Sequence, residues 1–281
     1  ERTGLVDEYG GIDDINNKVI RCVGRPEERF TEDALRMMRA IRFSAQLGFT
    51  IEDNTYKAIE KLSANIQKVS MERVCVELKK TLMSDNPDFC RLYGTTNLFK
   101  DILPQLHDSF TKRQSKRILL TCKYSEKELP LRLTACLSNG TPAQAEDTLR
   151  HLRMDNKTIE TVVKILTFSK DNIEETEPAI REALHKCGRD IFELVIKYDF
   201  AFVKASEEVT FISNPARYNH LVTLKRMADE ILSRGDCFTI KDLDITGLDL
   251  IEYGLKGTQI GSTLNYLLDI VIENPKLNDK A

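Results

Sequence analysis

The stretch of sequence that decides the fold is Arg29-Phe30-Thr31-Glu32-Asp33-Ala34-Leu35-Arg36-Met37-Met38-Arg39-Ala40-Ile41-Arg42-Phe43. Its spacing predicts an amphipathic helix, because at about 100° per residue the apolar side chains fall on one face. That face consists of Ala34, Met37, Met38, Ile41 and Ala45. Asp33, Arg36 and Ala40 share the opposite face, which we therefore expect to point away from the core.

Asp33 and Arg36 offer a hydrogen-bond acceptor and a donor on neighbouring positions of this helix. Cytosine and adenine both place an exocyclic amine beside a ring-nitrogen acceptor, so the pair can match the pairing edge of either base. Uracil and guanine reverse that order and would leave polar groups unpaired, at a cost of roughly 1–3 kcal/mol each. The spacing therefore suggests that Asp33 and Arg36 read a nucleobase.

A purely structural role explains the same residues. Thr31 would cap the helix, while Glu32 and Asp33 would favour its positive N-terminus. Arg36 would then form an ordinary surface ion pair. Acidic first turns are common, so spacing alone leaves both interpretations open. The five arginines between positions 25 and 42 favour the functional one.

Four blocks of the chain, taken in sequence order, resemble the motifs of one known family. They cover residues 7–14 with 20–24, residues 32–36, residues 97–106, and residues 243–250 with 254–261. In this order they resemble the class II tRNA nucleotidyltransferases, a family that includes CCA-adding enzymes and bacterial poly(A) polymerases. The resemblance spans nearly the whole chain, and it favours base recognition over the structural role for Asp33 and Arg36.

The block at residues 32–36 resembles the fourth motif of this family, whose Asp and Arg serve as an amino-acid template for incoming CTP and ATP. The resemblance implies that Asp33 accepts a hydrogen bond from the base amine and that Arg36 donates one to the ring nitrogen. Glu32 would orient Arg36. Arg29 and Arg39 complete the nucleotide-binding residues that we expect.

The block at residues 7–14 resembles the third motif of the family, which links the catalytic head to the helical neck. The expected residues of this motif are Asp7, Gly10, Gly11 and Asp14. Asp13 and Asp14 would point to opposite faces of a strand, so they do not suit a pair of metal ligands.

The carboxylates that catalyse phosphoryl transfer in this family hold Mg²⁺ and precede the third motif. The chain has a single Asp-x-Asp sequence, Asp242-Leu243-Asp244, which lies far downstream of it. We therefore expect no catalytic or metal-binding residue here, with Mg²⁺ bound by a missing head. The chain would be inactive alone.

The resemblance implies a mainly α fold, with an elongated multi-domain neck, body and tail following a remnant of an α/β nucleotidyltransferase head. We expect the head remnant at 1–28, the neck at 29–86, the body at 87–198 and the tail at 199–281. Apolar periodicity predicts helices at 69–83 and 146–168. Thr141-Pro142 predicts a helix start, because proline is favoured at the first helical position.

The composition of the 281-residue chain is 41% hydrophobic and 30% charged, with no apolar run as long as a membrane span. We expect a cytoplasmic protein with no membrane association.

The net charge of −3 is low for an RNA-binding protein. For contact with phosphates, the local groups of basic residues at 112–117 and in the first segment therefore matter more than the total charge of the chain. Seven cysteines without close spacing predict free, mostly buried thiols.

The expected activity is template-independent addition of C, C and A to the 3′ end of tRNA. The partners would be CTP, ATP, and the 3′ end and elbow of tRNA, with the protein a monomer or homodimer. The alternatives are a poly(A) polymerase, a CC-adding or A-adding specialist, and a non-catalytic RNA-binding fragment. A pI near 6.0 and the Gly-Leu-Asp-Leu sequence at 247–250 favour the tRNA enzyme over the polymerase.

Overall fold

Helices dominate the computed structural model, which describes residues 6–111, 115–169 and 172–279. Its first part contains two short strands among four helices. These are α1 (Gly11–Asn16), β1 (Val19–Ile20), α2 (Pro26–Glu32), α3 (Leu35–Leu47), β2 (Thr50–Ile51) and α4 (Asp53–Leu62). The strands pair in parallel, with Val19 opposite Thr50 and Ile20 opposite Ile51.

The remainder of the described chain is helical. Its α-helices are α5 (Met71–Leu82), α6 (Arg91–Thr95), α7 (Pro104–Thr111), α8 (Ser115–Tyr124), α9 (Leu129–Leu137), α10 (Pro142–His151), α11 (Asn156–Phe168), α12 (Glu177–Cys187), α13 (Arg189–Thr210), α14 (Pro215–Arg234), α15 (Gly247–Glu252) and α16 (Thr258–Glu273). Short 3₁₀ turns lie at Ser63–Lys68, Pro87–Cys90, Ile240–Asp242 and Pro275–Leu277. The prediction of a mainly helical fold is confirmed.

The chain divides into two compact units by its internal contacts. Unit 1 comprises Glu1–Thr167 and Ala201–Ile212, and unit 2 comprises Phe168–Phe200 and Ser213–Ala281. The four-part division into head remnant, neck, body and tail stays a prediction.

The core that positions the site lies in unit 1, where α3 packs against α5. Met37, Met38, Ile41 and Ala45 are at most 1% exposed, so the apolar face predicted for this helix is confirmed. From α5 the core receives Val74, Leu78 and Leu82. Full burial of each larger apolar side chain contributes roughly 1.5–3 kcal/mol, which fixes α3 firmly on its neighbour.

Two other local predictions agree with the structure. The helix expected at 69–83 is α5, which begins at Met71 and ends at Leu82. The helix start expected at Thr141-Pro142 is the start of α10. There Thr141 Oγ1 accepts from the Gln144 N–H at 3.2 Å, and the Thr141 N–H donates to Gln144 Oε1 at 2.9 Å.

The single helix predicted at 146–168 is wrong, because the structure contains two helices there. α10 ends at His151 and α11 begins at Asn156, and Arg153 between them has a φ of 56°. Asp155 stabilises the new start, since Oδ1 accepts from the Thr158 N–H at 2.8 Å. Leu152 and Met154 stay buried in the turn, which is why the apolar pattern runs through it unbroken.

Unit 2 contains a buried charge network centred on Arg181, which is 2% exposed. Its Nη1 donates to Glu177 Oε2 at 3.1 Å and to Asp236 Oδ2 at 3.0 Å, and its Nε donates to the Ile272 carbonyl at 2.7 Å. Arg234 Nη2 contacts the same two carboxylates at 2.9 and 2.8 Å. These contacts connect α12 to the end of α14 and to α16.

Candidate functional site

The candidate site lies at a break between α2 and α3. The continuous helix predicted across positions 29–43 is wrong, because α2 ends at Glu32 and Asp33 is extended, with φ −145° and ψ 103°. Asp33 Oδ1 accepts from the Leu35 N–H at 3.1 Å, so its side chain satisfies a backbone donor at the start of α3. A carboxylate that can cap a helix favours such a break.

The Thr31 hydroxyl does not cap the helix, as the structural alternative required. It donates instead to the Glu27 carbonyl at 2.7 Å, within α2. This part of the purely structural explanation is therefore wrong.

Glu32 holds two of the expected site arginines. Its Oε2 accepts from Arg36 Nη1 at 2.6 Å and from Arg29 Nη1 at 2.7 Å, and Arg36 Nη1 also donates to the Arg29 carbonyl at 3.0 Å. The hydrogen bond from Arg36, supported by the charge of Arg29, holds the pKa of the Glu32 carboxyl below its ordinary value. The guanidinium of Arg36 is thus fixed from one side while its side chain remains 31% exposed.

Asp33 is fixed from a second element. Its Oδ2 accepts a hydrogen bond at 3.0 Å from Nη2 of Arg73, which lies on α5. Each carboxylate oxygen has room for two hydrogen bonds, so both oxygens of Asp33 keep an acceptor position toward a ligand. Arg73 lies 40 positions from Asp33 in the chain, and no local pattern pointed to it.

The remaining arginines of this segment divide between surface and core. Arg39 is exposed on α3, three residues after Arg36 and so on the same side of the helix. Arg42 Nε lies 2.7 Å from Glu77 Oε2, with side chains only 12% and 8% exposed. The Arg42 guanidinium also lies 4.1 Å from the centre of the Phe43 ring, so Arg42 has a structural role.

The residues expected to form the head-neck motif meet at the first turn of α1. Asp7 accepts from the Gly11 N–H at 2.7 Å and from the Ile12 N–H at 2.9 Å, and these bonds lower the pKa of the Asp7 carboxyl. Gly10 has a φ of 71°, a conformation that glycine adopts without strain. The turn thus depends on Asp7 and Gly10 together.

Asp14 extends this motif toward α4. Both of its carboxylate oxygens lie 3.1 Å from Arg21 Nε, and Arg21 Nη1 lies 3.7 Å from Glu52 Oε1. Asp13 and Asp14 lie on α1 rather than on a strand. The four motif residues therefore act on local structure.

The basic cluster at 112–117 is only partly described. Residues 112–114 lie outside the described residues. Lys116 Nζ lies 5.9 Å from the centre of the Phe211 ring, and the Arg117 guanidinium lies 5.0 Å from that of Phe202. These two cations are close to aromatic faces within unit 1.

The cysteine prediction is confirmed. All seven thiols are free, and six of them are buried, whereas Cys22 is partly exposed. None of the helices in the described ranges has the length and apolar character needed to cross a membrane.

Two family models match the chain. The model described as "tRNA nucleotidyltransferase domain 2 putative" matches residues 122–281. The model described as "Probable RNA and SrmB- binding site of polymerase A" matches residues 48–110.

Curated relatives match along nearly the whole chain. The CCA-adding enzyme of Pediococcus pentosaceus is 30% identical over 288 residues, which cover 98% of this chain and 65% of that protein. The CCA-adding enzyme of Ligilactobacillus salivarius is 32% identical over 279 residues, covering 98% of this chain and 64% of that protein. The chain thus spans slightly less than two thirds of the length of these relatives.

A solved structure shares the fold. The crystal structure of a CCA-adding enzyme from Bacillus stearothermophilus in complex with CTP superimposes with a TM-score of 0.74 at 23% identity. The superposition covers 98% of this chain and 66% of the other.

Proposed function

The chain belongs to the tRNA nucleotidyltransferase family, and from that premise we propose that it forms the nucleotide-selecting and tRNA-binding part of a CCA-adding enzyme. The enzyme adds C, C and A to the 3′ end of tRNA from CTP and ATP, without a nucleic-acid template. The observation that carries the proposal is the arrangement of Glu32, Asp33 and Arg36 at the break between α2 and α3. The CCA-adding relatives and the structural neighbour with CTP support it.

Asp33 supplies the acceptor of the template. Its backbone is extended between two helices. Its carboxylate is held by hydrogen bonds from the Leu35 N–H and from Arg73. Such a carboxylate loses little conformational entropy when it accepts a further hydrogen bond from the amine of cytosine or adenine. A base that presents a carbonyl at this point meets a second acceptor instead.

Arg36 supplies the donor. A guanidinium has five N–H groups, and among the described residues its protein acceptors, Glu32 and the Arg29 carbonyl, both bond Nη1. Those two bonds set the plane of the guanidinium, so that the other nitrogens can donate to the ring nitrogen of the base. Glu32 is a positioning residue in this scheme, because it acts on the base through Arg36.

This arrangement distinguishes the substrates by the order of donor and acceptor. CTP and ATP form hydrogen bonds with both side chains. With UTP or GTP, the base carbonyl would face the acceptor Asp33, and the ring N–H would face the donor Arg36. An unsatisfied pair costs roughly 1–3 kcal/mol per group, which corresponds to about tenfold or more in kcat/KM. Arg29 and Arg39 lie near the pair and favour the triphosphate or the RNA by charge.

Phosphoryl transfer in this family uses Mg²⁺ held by carboxylates. The described residues do not fit such a site. Asp14 is paired with Arg21, and Asp242 Oδ2 accepts from the backbone and hydroxyl of Thr239 at 2.9 and 2.8 Å. The proposal therefore places Mg²⁺ outside them.

Binding of the tRNA elbow by the tail, the oligomeric state and a cytoplasmic location stay predictions.

The proposal is tested with Arg36→Ala in the full-length enzyme. We expect kcat/KM for CTP and for ATP to fall by roughly tenfold or more, because a charged hydrogen bond to the base is lost. The affinity for tRNA should not change. The measurement is nucleotide incorporation into tRNA that lacks its 3′ end, together with tRNA binding by filter retention.

Arg25→Ala is the matched control, since Arg25 forms an exposed ion pair with Glu28 at 3.0 Å at the start of α2, the helix before the break. It should incorporate CTP and ATP as the wild type does. An equal loss of tRNA binding in Arg36→Ala would make Arg36 a phosphate contact and contradict base recognition. Sequencing of the products decides the activity, since a run of adenosines in place of C, C and A would identify a poly(A) polymerase.

A further inference from the structure

Three cysteines that are far apart in the sequence meet in the core of unit 1. Cys90 ends the 3₁₀ turn Pro87–Cys90, Cys122 lies in α8 and Cys136 lies in α9. Their sulfur atoms all lie within 4.8 Å of one another. The residues are 0%, 0% and 2% exposed, respectively. The chain thus presents three soft ligands around one point, outside the proposed base-reading site.

We propose that Cys90, Cys122 and Cys136 bind one Cu(I) ion through three thiolates. Metal–thiolate bonds are about 2.3 Å long, so three sulfurs in a plane around one ion stand about 4 Å apart. The observed spacing reaches this arrangement with small side-chain movements. Thiolates select Cu(I) and Zn²⁺ among biological metals.

The number of ligands favours Cu(I) over Zn²⁺. Structural zinc sites are four-coordinate, and in the part of the chain that the structure describes this group contains three metal-binding side chains. Cu(I) has a filled d shell and accepts trigonal coordination by three sulfurs. The burial of all three cysteines also protects Cu(I) from oxidation.

Arg132 supplies a counter-charge. It lies one helical turn before Cys136 on α9 and is 5% exposed. Its Nη1 donates to the carbonyls of Leu82 and Ser84, the second at 2.7 Å. Three thiolates and Cu(I) carry a net charge of −2, and the nearby guanidinium offsets half of it. Hydrogen bonds within the cluster and burial hold the pKa of Cys122 and of Cys136 well above its ordinary value, and the positive charge of Arg132 opposes that rise.

Binding must release protons. Cysteine binds a metal ion as the thiolate, so each of the three thiols must lose its proton when the ion enters. Three S–H bonds break, three S–Cu bonds form, and three protons leave to solvent. The copper enters and stays as Cu(I), so no electron is transferred. Affinity therefore rises with pH.

One member of the cluster borders a cavity. Cys136 lines a surface cavity of about 190 Å³ together with polar residues of α7 and α10. Gln105, Asp108, Gln144 and Thr148 are among these residues. We therefore expect copper to approach the cluster from the side of Cys136.

The test is a titration of the full chain with Cu(I) under anaerobic, reducing conditions, in competition with a chromophoric Cu(I) chelator. We expect one tightly bound Cu(I) per chain and an ultraviolet sulfur-to-copper charge-transfer band. Cys122→Ala and Cys90→Ala should each weaken binding by roughly tenfold or more, since each removes a ligand. X-ray absorption of the wild-type complex should show three sulfur neighbours, a result that depends on no variant.

Cys75→Ala is the matched control, because Cys75 is also a buried thiol of unit 1 and its Sγ lies 3.4 Å from Met154 Sδ. It should bind Cu(I) as the wild type does. The proposal is overturned if the wild type takes no Cu(I) from the chelator, or if Cys122→Ala binds it as tightly. It is equally overturned if Cys75→Ala loses the ion to the same extent.

Discussion

At the scale of the residue, Asp199 in α13 is a buried carboxylate whose ionisation opposes folding. Burial raises its pKa to about 7, although Arg217 Nη2 lies 3.0 Å from Oδ2 and lowers it. Between about pH 4 and pH 7 the folded chain holds a proton that the unfolded chain has lost. The stability that this proton contributes is present at low pH and is lost as the pH rises through this window.

Asp199→Asn should remove this pH dependence, because an amide does not ionise. We expect the free energy of unfolding of the variant, relative to that of the wild type, to increase from about pH 5 to about pH 8 by up to about 3 kcal/mol. Urea denaturation at both pH values measures it. Asp229→Asn is the control, since Asp229 is 62% exposed beside Lys225. A difference that stays constant with pH would contradict the raised pKa.

The residues of the candidate site could be predicted only where their relation is local. Asp33 and Arg36 are three positions apart, so spacing suggested the pair, but it placed both on one helix, whereas Asp33 lies in the break before α3. Arg73 meets Asp33 because α5 packs on α3, a contact over 40 positions that spacing does not encode. The cysteine cluster has the same origin, since its members come from three elements that meet only in the folded core.

At the scale of the element, apolar periodicity predicted which face is buried but not where each helix ends. The pattern continues through the breaks at Asp33 and at residues 152–155, because residues on both sides still point to the core. At each break an aspartate accepts from the backbone N–H of a residue at the start of the next helix, Leu35 in one case and Thr158 in the other. An aspartate that can accept from a backbone N–H at the start of the next helix was therefore the signal of each break, and apolar periodicity does not contain it.

Gly94 in α6 limits how far α6 and α7 can separate. A Cβ added at Gly94 would lie 2.7 Å from Phe110 Cβ, an atom fixed to the backbone of α7. We expect Gly94→Ala to lower the free energy of unfolding by roughly 1–3 kcal/mol, as overpacking in a core does. Urea denaturation monitored by circular dichroism measures the change.

Gly261 in α16 provides the opposite case, because no atom lies within 4 Å of its added Cβ. Gly261→Ala should raise the free energy of unfolding by about 0.5–1 kcal/mol, since alanine loses less backbone entropy in a helix. Gly261→Ala thus serves as the control for Gly94→Ala. If Gly94→Ala had the same free energy of unfolding as the wild type, the prediction of overpacking between α6 and α7 would be wrong.

At the scale of the whole molecule, the net charge of −3 means that the chain as a whole repels tRNA. The proposed binding of tRNA must then come from local groups of basic side chains that contact phosphates, and such binding releases counterions. We expect the tRNA affinity to fall by roughly tenfold or more between about 50 and 200 mM salt, with the logarithm of the binding constant linear in that of the salt concentration. Fluorescence anisotropy with labelled tRNA measures this slope.

The same slope separates the two possible roles of Arg36. An arginine that reads a base edge releases no phosphate counterion, so Arg36→Ala should leave the slope unchanged while incorporation of CTP and ATP falls. An arginine that contacts a phosphate would instead reduce the slope by about one unit and weaken binding to every RNA alike. Because Glu32 Oε2 already holds this guanidinium at 2.6 Å, away from a phosphate, we expect the unchanged slope. A reduced slope would assign Arg36 to the RNA backbone and leave the base edge to Asp33 alone.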